Sequence, residues 1–208
     1  MTLGACTERF APSTGVAEPL GLRPNSAGSR PQSLPPAAGA ERMLRLSPSR
    51  ALAPFTLQDQ DGREVQSARQ LPGQVSLVFF GFAHCPDVCP TTLLKLQQVL
   101  AAGPEFAAVR LYMISVDGER DTPAVLKAFL GQVSPRIVGL TGPAAQVRPV
   151  ARSFTASFVR QAPTQPGGHY TVDHSSQVYL VDRDGRLSAI FFNAPADVLR
   201  AALRDALR

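Results

Sequence analysis

Two cysteines define the chemistry open to this chain. Cys85 and Cys89 lie in the stretch VSLVFFGFAHCPDVCPTT, residues 75–92, four positions apart and each followed by proline. Thiolates this close either join as a disulfide or hold a soft metal ion. Two buried cysteines serving as small apolar side chains are the plain alternative. What completes such a site is a question of histidines, of which the chain has three. His84 adjoins Cys85 and either modulates the thiols or stands as a solvent-exposed neighbour. His169 falls in a Pro- and Gly-rich stretch and reads as a mobile surface residue. His174 sits in Val172-Asp173-His174-Ser175-Ser176, just ahead of an apolar strand, and its spacing alone leaves a ligand role open.

These side chains need elements to hold them. The apolar run Val75 to Phe82 is rich in Val and Phe and predicts a buried central strand. From Thr91 onward, apolar residues at 93, 96, 99 and 100 predict a helix. The thiols therefore fall where a strand hands over to a helix start. Unpaired N–H groups and the helix dipole stabilise thiolate there, so the expectation is a lowered cysteine pKa. If that turn is helical, the spacing also puts both sulfurs on one face.

The rest of the body supplies a frame. Residues 55–65 read as an N-terminal β-hairpin with an Asp61-Gly62 turn. Val109 to Val116 is a second buried strand. Thr122-Pro123 supplies an N-cap and a first-turn proline for a helix over 124–130. A short strand at 137–140, a helix over 144–154 interrupted by Pro149, and a loop over 161–169 come next. The chain closes with a hairpin (177–182 and 186–192) and an amphipathic helix from Pro195, its apolar face carrying Val198, Leu199, Ala202, Leu203 and Leu207. Strands alternating with helices predict an α/β domain with a central mixed sheet flanked by helices.

Composition excludes several function classes. Of 208 residues, 44% are hydrophobic, enough for one domain with a sizeable core. The formal charge is +5, but residues 1–50 hold six Arg against three Glu, leaving a nearly balanced body. A nucleic-acid footprint needs a basic face with aromatics interleaved, so nucleic acid is not an expected partner. Three cysteines are too few for a disulfide-stapled mini-protein. No stretch reaches the roughly 18 to 20 apolar residues of a membrane span. Residues 1–50 carry seven of the nineteen prolines and no lasting period, and read as a flexible tail ahead of a domain over 51–208. Within that tail, Leu3-Gly4-Ala5-Cys6 resembles the lipobox at which bacterial lipoprotein precursors are cut and acylated. Only two residues precede it, so the expectation is a translation start further upstream, with a membrane-targeting segment; a chance match is the alternative.

Three blocks carry a wider resemblance. Gly81-Phe82-Ala83-His84-Cys85-Pro86-Asp87-Val88-Cys89-Pro90-Thr91-Thr92 resembles the signature of the Sco/SenC family of copper-binding assembly proteins. Ser115-Val116-Asp117-Gly118-Glu119-Arg120-Asp121-Thr122-Pro123 is similar to its second block, with Gly118 where proline is usual. Tyr170-Thr171-Val172-Asp173-His174-Ser175-Ser176 is similar to its third. The blocks fall in the family's order and the resemblance covers about residues 53–205.

The resemblance implies a thioredoxin-like fold in which Cys85, Cys89 and His174 hold copper. Thioredoxin-like oxidoreductases usually place a cis-proline just before the closing hairpin; residues 173–176 contain no proline, and an imidazole stands there instead. Two thiolates and an imidazole form a soft donor set that suits copper. The resemblance further implies a metallochaperone for the CuA centre of cytochrome c oxidase, with the CuA-bearing subunit as partner and other periplasmic copper carriers or thioredoxin-like reductants beside it. The implied location is periplasmic, or more broadly extracytoplasmic, with inner-membrane anchoring in the full precursor through a lipid on Cys6. The competing reading is a thiol-disulfide oxidoreductase that keeps the CuA cysteines reduced, with Cys85 and Cys89 redox-active and disulfide-bonded when oxidised. Such exchange needs no His174, whereas metal transfer does. The loop with Pro163, Pro166, Gly167 and Gly168 predicts a histidine that arrives on a mobile segment. Asp87 and Asp173 flank the site as loop-tuning or merely solvated carboxylates, and Asp117 and Arg120 are expected to fix the loop before the next helix. A peroxiredoxin fits poorly, because Phe82 stands where that family has threonine, and a structural zinc site lacks a fourth ligand.

Overall fold

The computed structural model describes residues 42–163 and 170–208. In chain order the elements are β1 (Met43–Arg50), β2 (Thr56–Asp59), β3 (Glu64–Gln66), the one-turn α1 (Ser67–Gln70), β4 (Ser76–Gly81) and α2 (Val88–Ala101). After a 3-10 turn at Pro104–Phe106 come β5 (Arg110–Ser115), α3 (Pro123–Val133), β6 (Ile137–Thr141) and α4 (Ala144–Ser153). Then follow β7 (Phe158–Gln161), β8 (Thr171–His174), β9 (Val178–Val181), β10 (Leu187–Phe191) and α5 (Ala196–Leu207).

One eight-stranded sheet runs in the order β1-β10-β9-β4-β5-β6-β2-β3. Its middle is β4, parallel to β5 on one side and antiparallel to β9 on the other. A strand covered on both faces loses the alternation of a half-exposed one. All six residues of β4 are accordingly buried. Phe80 packs edge-on against Phe154 at 5.5 Å and Tyr179 at 5.8 Å. Helix α2 carries the chain from β4 to the parallel β5, burying Leu93, Leu96, Val99 and Leu100, and packs on α3 and α5. Helix α3 begins as expected, with Thr122 Oγ1 accepting from Val125 N and Pro123 in the first turn. The N-terminal hairpin β2–β3 turns at Gly62 (φ +77°) and joins the sheet against β6. Helix α5 buries Leu199, Ala202 and Leu203 of its expected apolar face. Among the described residues no helix is long and apolar enough to cross a membrane.

Two elements depart from the sequence expectation. Residues 43–50, assigned to the tail, form β1 against β10, with Met43 opposite Phe191 and Arg45 opposite Ala189. This edge strand has no strict alternation and contains Pro48, which an edge tolerates because one row of its backbone groups faces away from the sheet. Residues 43–50 are thus part of the described fold, while residues 1–41, Cys6 included, lie outside the described residues. Second, β7 and β8 form a separate two-stranded sheet, Phe158 opposite His174 and Gln161 opposite Thr171. A four-residue strand with one buried side chain leaves no period to read. His169 and residues 166–168 of the expected loop lie outside the described residues.

Candidate metal centre

The dithiol sits at the end of β4. Helix α2 starts at Val88, earlier than the apolar pattern indicated, because Pro90 falls in the first turn, where a backbone N–H has no intrahelical partner to lose. Cys89 is inside that turn. Cys85 is outside it, on a tight loop closed by its N–H donating to Phe82 O at 3.3 Å. The two sulfurs therefore meet through a turn and not on a shared helical face. Space for the Cys89 sulfur exists because residue 81 is glycine: a Cβ there would lie 2.9 Å from Sγ and 2.7 Å from Phe79 Cε1.

The expected thiolate is also reversed at Cys89. Its side chain is fully buried, and desolvation pushes the thiol pKa strongly upward. The backbone of Phe82 opposes the shift by hydrogen bonding, while Cys85 and the charge of Asp121 reinforce it. Burial outweighs the helix start, so metal-free Cys89 is held as a thiol.

His174 stands beside the dithiol in this structure. It ends β8, and its Nε2 lies 3.4 Å from Cys89 Sγ. Nδ1 is 3.1 Å from the Ser175 carbonyl oxygen, which only accepts, so Nδ1 carries the proton and Nε2 presents its lone pair. Burial lowers the imidazole pKa, with the Ser175 carbonyl opposing. Phe79 and Phe82 meet the ring edge-on at 6.0 and 5.7 Å and fix its plane. Cys85 Sγ, Cys89 Sγ and one histidine nitrogen all fall within 4.8 Å of one another. Both cysteines are free. A two-sulfur, one-nitrogen set of this size can close on a soft cation that replaces the thiol protons.

Around this group the other candidates separate. His84 is half-exposed and faces Asp121 Oδ1 at 3.5 Å, away from a ligand position. Asp173 accepts from Gln161 Nε2 at 2.7 Å on the exposed side of the hairpin, and Asp87 is exposed. Asp117 and Arg120 do fix their loop, but they also reach across to Tyr170. Sequence reasoning gave no role to Asp121 or Tyr170. Asp121 is fully buried, and its Oδ2 accepts from Ala83 N at 2.9 Å and Ser115 Oγ at 2.7 Å, anchoring the cysteine loop to β5. Its position in the second block was legible; its partner across 38 residues was not.

A mixed sheet with a dithiol at the end of its central strand, opposed by a histidine before the closing hairpin, defines a thioredoxin-like protein with a Cys-Cys-His group that could hold a metal. The chain belongs to the SCO1/SenC family, whose model matches residues 45–207. It is similar to an SCO2-like protein of Rickettsia felis, 34% identical over 148 residues that make up 70% of this chain and 72% of that one. Among solved structures, ScoI of Bradyrhizobium japonicum with copper bound matches with a TM-score of 0.67 at 39% identity, covering 74% of this chain and 98% of that one. BsSco, a member of the Sco family of cytochrome c oxidase assembly proteins in which a disulfide switch is identified, matches with a TM-score of 0.60 at 29% identity, covering 76% and 94%.

Proposed function

We propose that this chain is a copper metallochaperone that receives copper on Cys85, Cys89 and His174 and passes it to the CuA-bearing subunit of cytochrome c oxidase. The observation that carries the reading is the meeting of three soft-metal donors within 4.8 Å. The copper-bound relative supports the choice of metal. Copper is the cargo here. Binding displaces the proton that burial keeps on Cys89, so uptake releases protons and weakens as pH falls. Oxidation of the dithiol, with loss of two electrons and two protons to a disulfide partner or oxidant, removes two of three donors and couples metal to redox state. The reading includes an extracytoplasmic location and an anchor through a lipid on Cys6, tested by mass spectrometry of the protein from membranes.

The asymmetry of the two thiols supports a second activity at the same site. Cys85 is half-exposed and Cys89 buried. Cys85 suits attack on a partner's disulfide, and Cys89 suits release of the mixed disulfide, leaving the partner reduced and Cys85–Cys89 oxidised. One experiment separates the two. Reduced protein and its Cys85→Ala, Cys89→Ala and His174→Ala variants are compared for copper affinity by chelator competition, and for reduction of a model disulfide. All three variants should lose copper affinity, and His174→Ala alone should keep the exchange activity. Wild-type copper affinity in His174→Ala would overturn the three-ligand chaperone reading.

A further inference from the structure

Tyr170 immediately precedes the strand that His174 ends, and two guanidiniums lie over its ring. Arg120 Cζ is 3.7 Å from the ring centroid and Arg160 Cζ is 4.2 Å away. The Tyr170 hydroxyl donates to Asp117 Oδ1 at 2.7 Å, and its carbonyl oxygen accepts from Arg120 Nη1 at 2.9 Å. Arg120 pairs through Nε with Asp117 Oδ2, and Arg160 pairs with Glu119. Three residues of the loop after β5 thereby grip the β7–β8 hairpin. Arg120 also reaches the site by a second route. Its Cζ lies 5.8 Å from the Phe82 ring, which meets the His174 ring edge-on at 5.7 Å.

A two-stranded ribbon is marginal by itself, and among the described residues β8 pairs with β7 alone. The place where it delivers the imidazole therefore depends on what holds its ends. At the His174 end, Ser175 N donates to Ser157 O and Ser157 N donates to Ser175 Oγ. At the far end the hold is the Arg120 fork, whose planar nitrogens bond an aspartate and a carbonyl while its face covers a ring. Lysine can supply the charge there but not the fork.

We propose that Arg120 is a positioning residue of the metal centre: by pinning Tyr170 and backing Phe82 it fixes where His174 Nε2 stands relative to the two sulfurs. The inference rests on the copper reading above for its consequence, but its geometric half is testable without metal. In the metal-free reduced protein, Arg120→Met should speed hydrogen exchange at Val172, Asp173 and His174 while leaving β4 and α2 unchanged. In copper titrations it should weaken affinity about tenfold or more, as loss of a residue supporting a ligand does. Arg120→Lys should fall between. In a His174→Ala background the same substitution should cost nothing further, because the residue it positions is gone. The midpoint potential of the Cys85/Cys89 couple should not move.

Unchanged β8 exchange together with unchanged copper affinity overturns the proposal. So does an equal affinity loss in both backgrounds, which would mark a general structural role. Should Arg120→Met fail to fold, Tyr170→Phe carries the same test, removing only the hydroxyl bond to Asp117; a smaller effect of the same sign is expected, and none in either Tyr170→Phe or Arg120→Lys overturns the idea. If His174→Ala itself keeps full copper affinity, the ligand reading fails separately, and the metal-free exchange still decides whether Arg120 holds the strand.

Discussion

Cys89 and His174 stand 3.4 Å apart, yet the ground beneath each is built differently. Under Cys89 lie β4, buried along its whole length between two neighbouring strands, and a 14-residue helix packed on two others. Under His174 lies a four-residue strand with only Val172 buried, paired among the described residues with β7 alone and held beyond its ends by side-chain and backbone bonds. The first arrangement is fixed by burial of apolar surface, which is cooperative across the domain. The second rests on two buried side chains, Val172 and Phe158, and on a few polar contacts at the rim. A site so divided keeps its two sulfurs on a stiff base and places the nitrogen on an element that can be adjusted separately.

The sharpest way to break that contrast is to remove packing from each side. Phe80 is fully buried between Phe154 and Tyr179. Phe80→Ala should cost about 3–5 kcal/mol in urea unfolding, from lost transfer energy and the cavity left behind. Val159, 56% exposed on β7, should change by no more than about 0.5 kcal/mol when replaced by alanine. Similar costs at both positions would mean that hairpin and sheet are one cooperative body.

The same division explains what could be read from the sequence. Continuous burial writes itself into residue type, so the strand at Val75–Phe82 and a second buried strand at Val109–Val116 are legible, as is the α3 cap at Thr122-Pro123; that the two strands pair in parallel is not. The pairing of Phe158–Gln161 with Thr171–His174 was not, since alternation over four half-exposed residues carries no signal. The edge strand at Met43–Arg50 escaped for a related reason: backbone bonds to β10 hold it, and backbone bonds leave no mark on composition. At the site, the resemblance to a family points to the three residues that meet here, whereas the thiolate that the helix start predicts at Cys89 is not what the fold holds. The helix start is visible in sequence; the depth of burial that overrides it is a property of the assembled fold.

Asp121 tests the stiff side more finely. Asp121→Ala strips the acceptor from Ala83 N–H and the Ser115 hydroxyl and should cost about 1–3 kcal/mol. Asp121→Asn keeps an oxygen for both donors and removes the buried charge. Burial raises the Asp121 pKa above 3.8, so the folded state binds the proton more tightly than the unfolded state does. The native protein therefore bears the cost of the charged form at neutral pH and sheds it as pH falls through the folded pKa. The stability of Asp121→Asn relative to wild type should accordingly decline as pH is lowered from 7 toward about 4. A gap that stays flat across that window would show that the carboxylate is not desolvated, and with it that the cysteine loop is less enclosed than its neighbours indicate.

The smallest effect should come from the rim. Ser175→Ala removes the acceptor of the Ser157 N–H at 2.9 Å and the hydroxyl's hydrogen bond with Tyr179, and leaves the backbone bond from Ser175 N to Ser157 O at 3.0 Å and the carbonyl that orients His174. The loss should be about 0.5–1.5 kcal/mol, and it should be local. Hydrogen exchange would then quicken at Val172 to His174 while the amides of β4 keep their protection, because opening the hairpin does not require the sheet to open. Exchange that rises equally in β4 would place both regions in a single unfolding unit. In that case the imidazole would be as firmly seated as the sulfurs, and its adjustment would demand unfolding of the sheet itself.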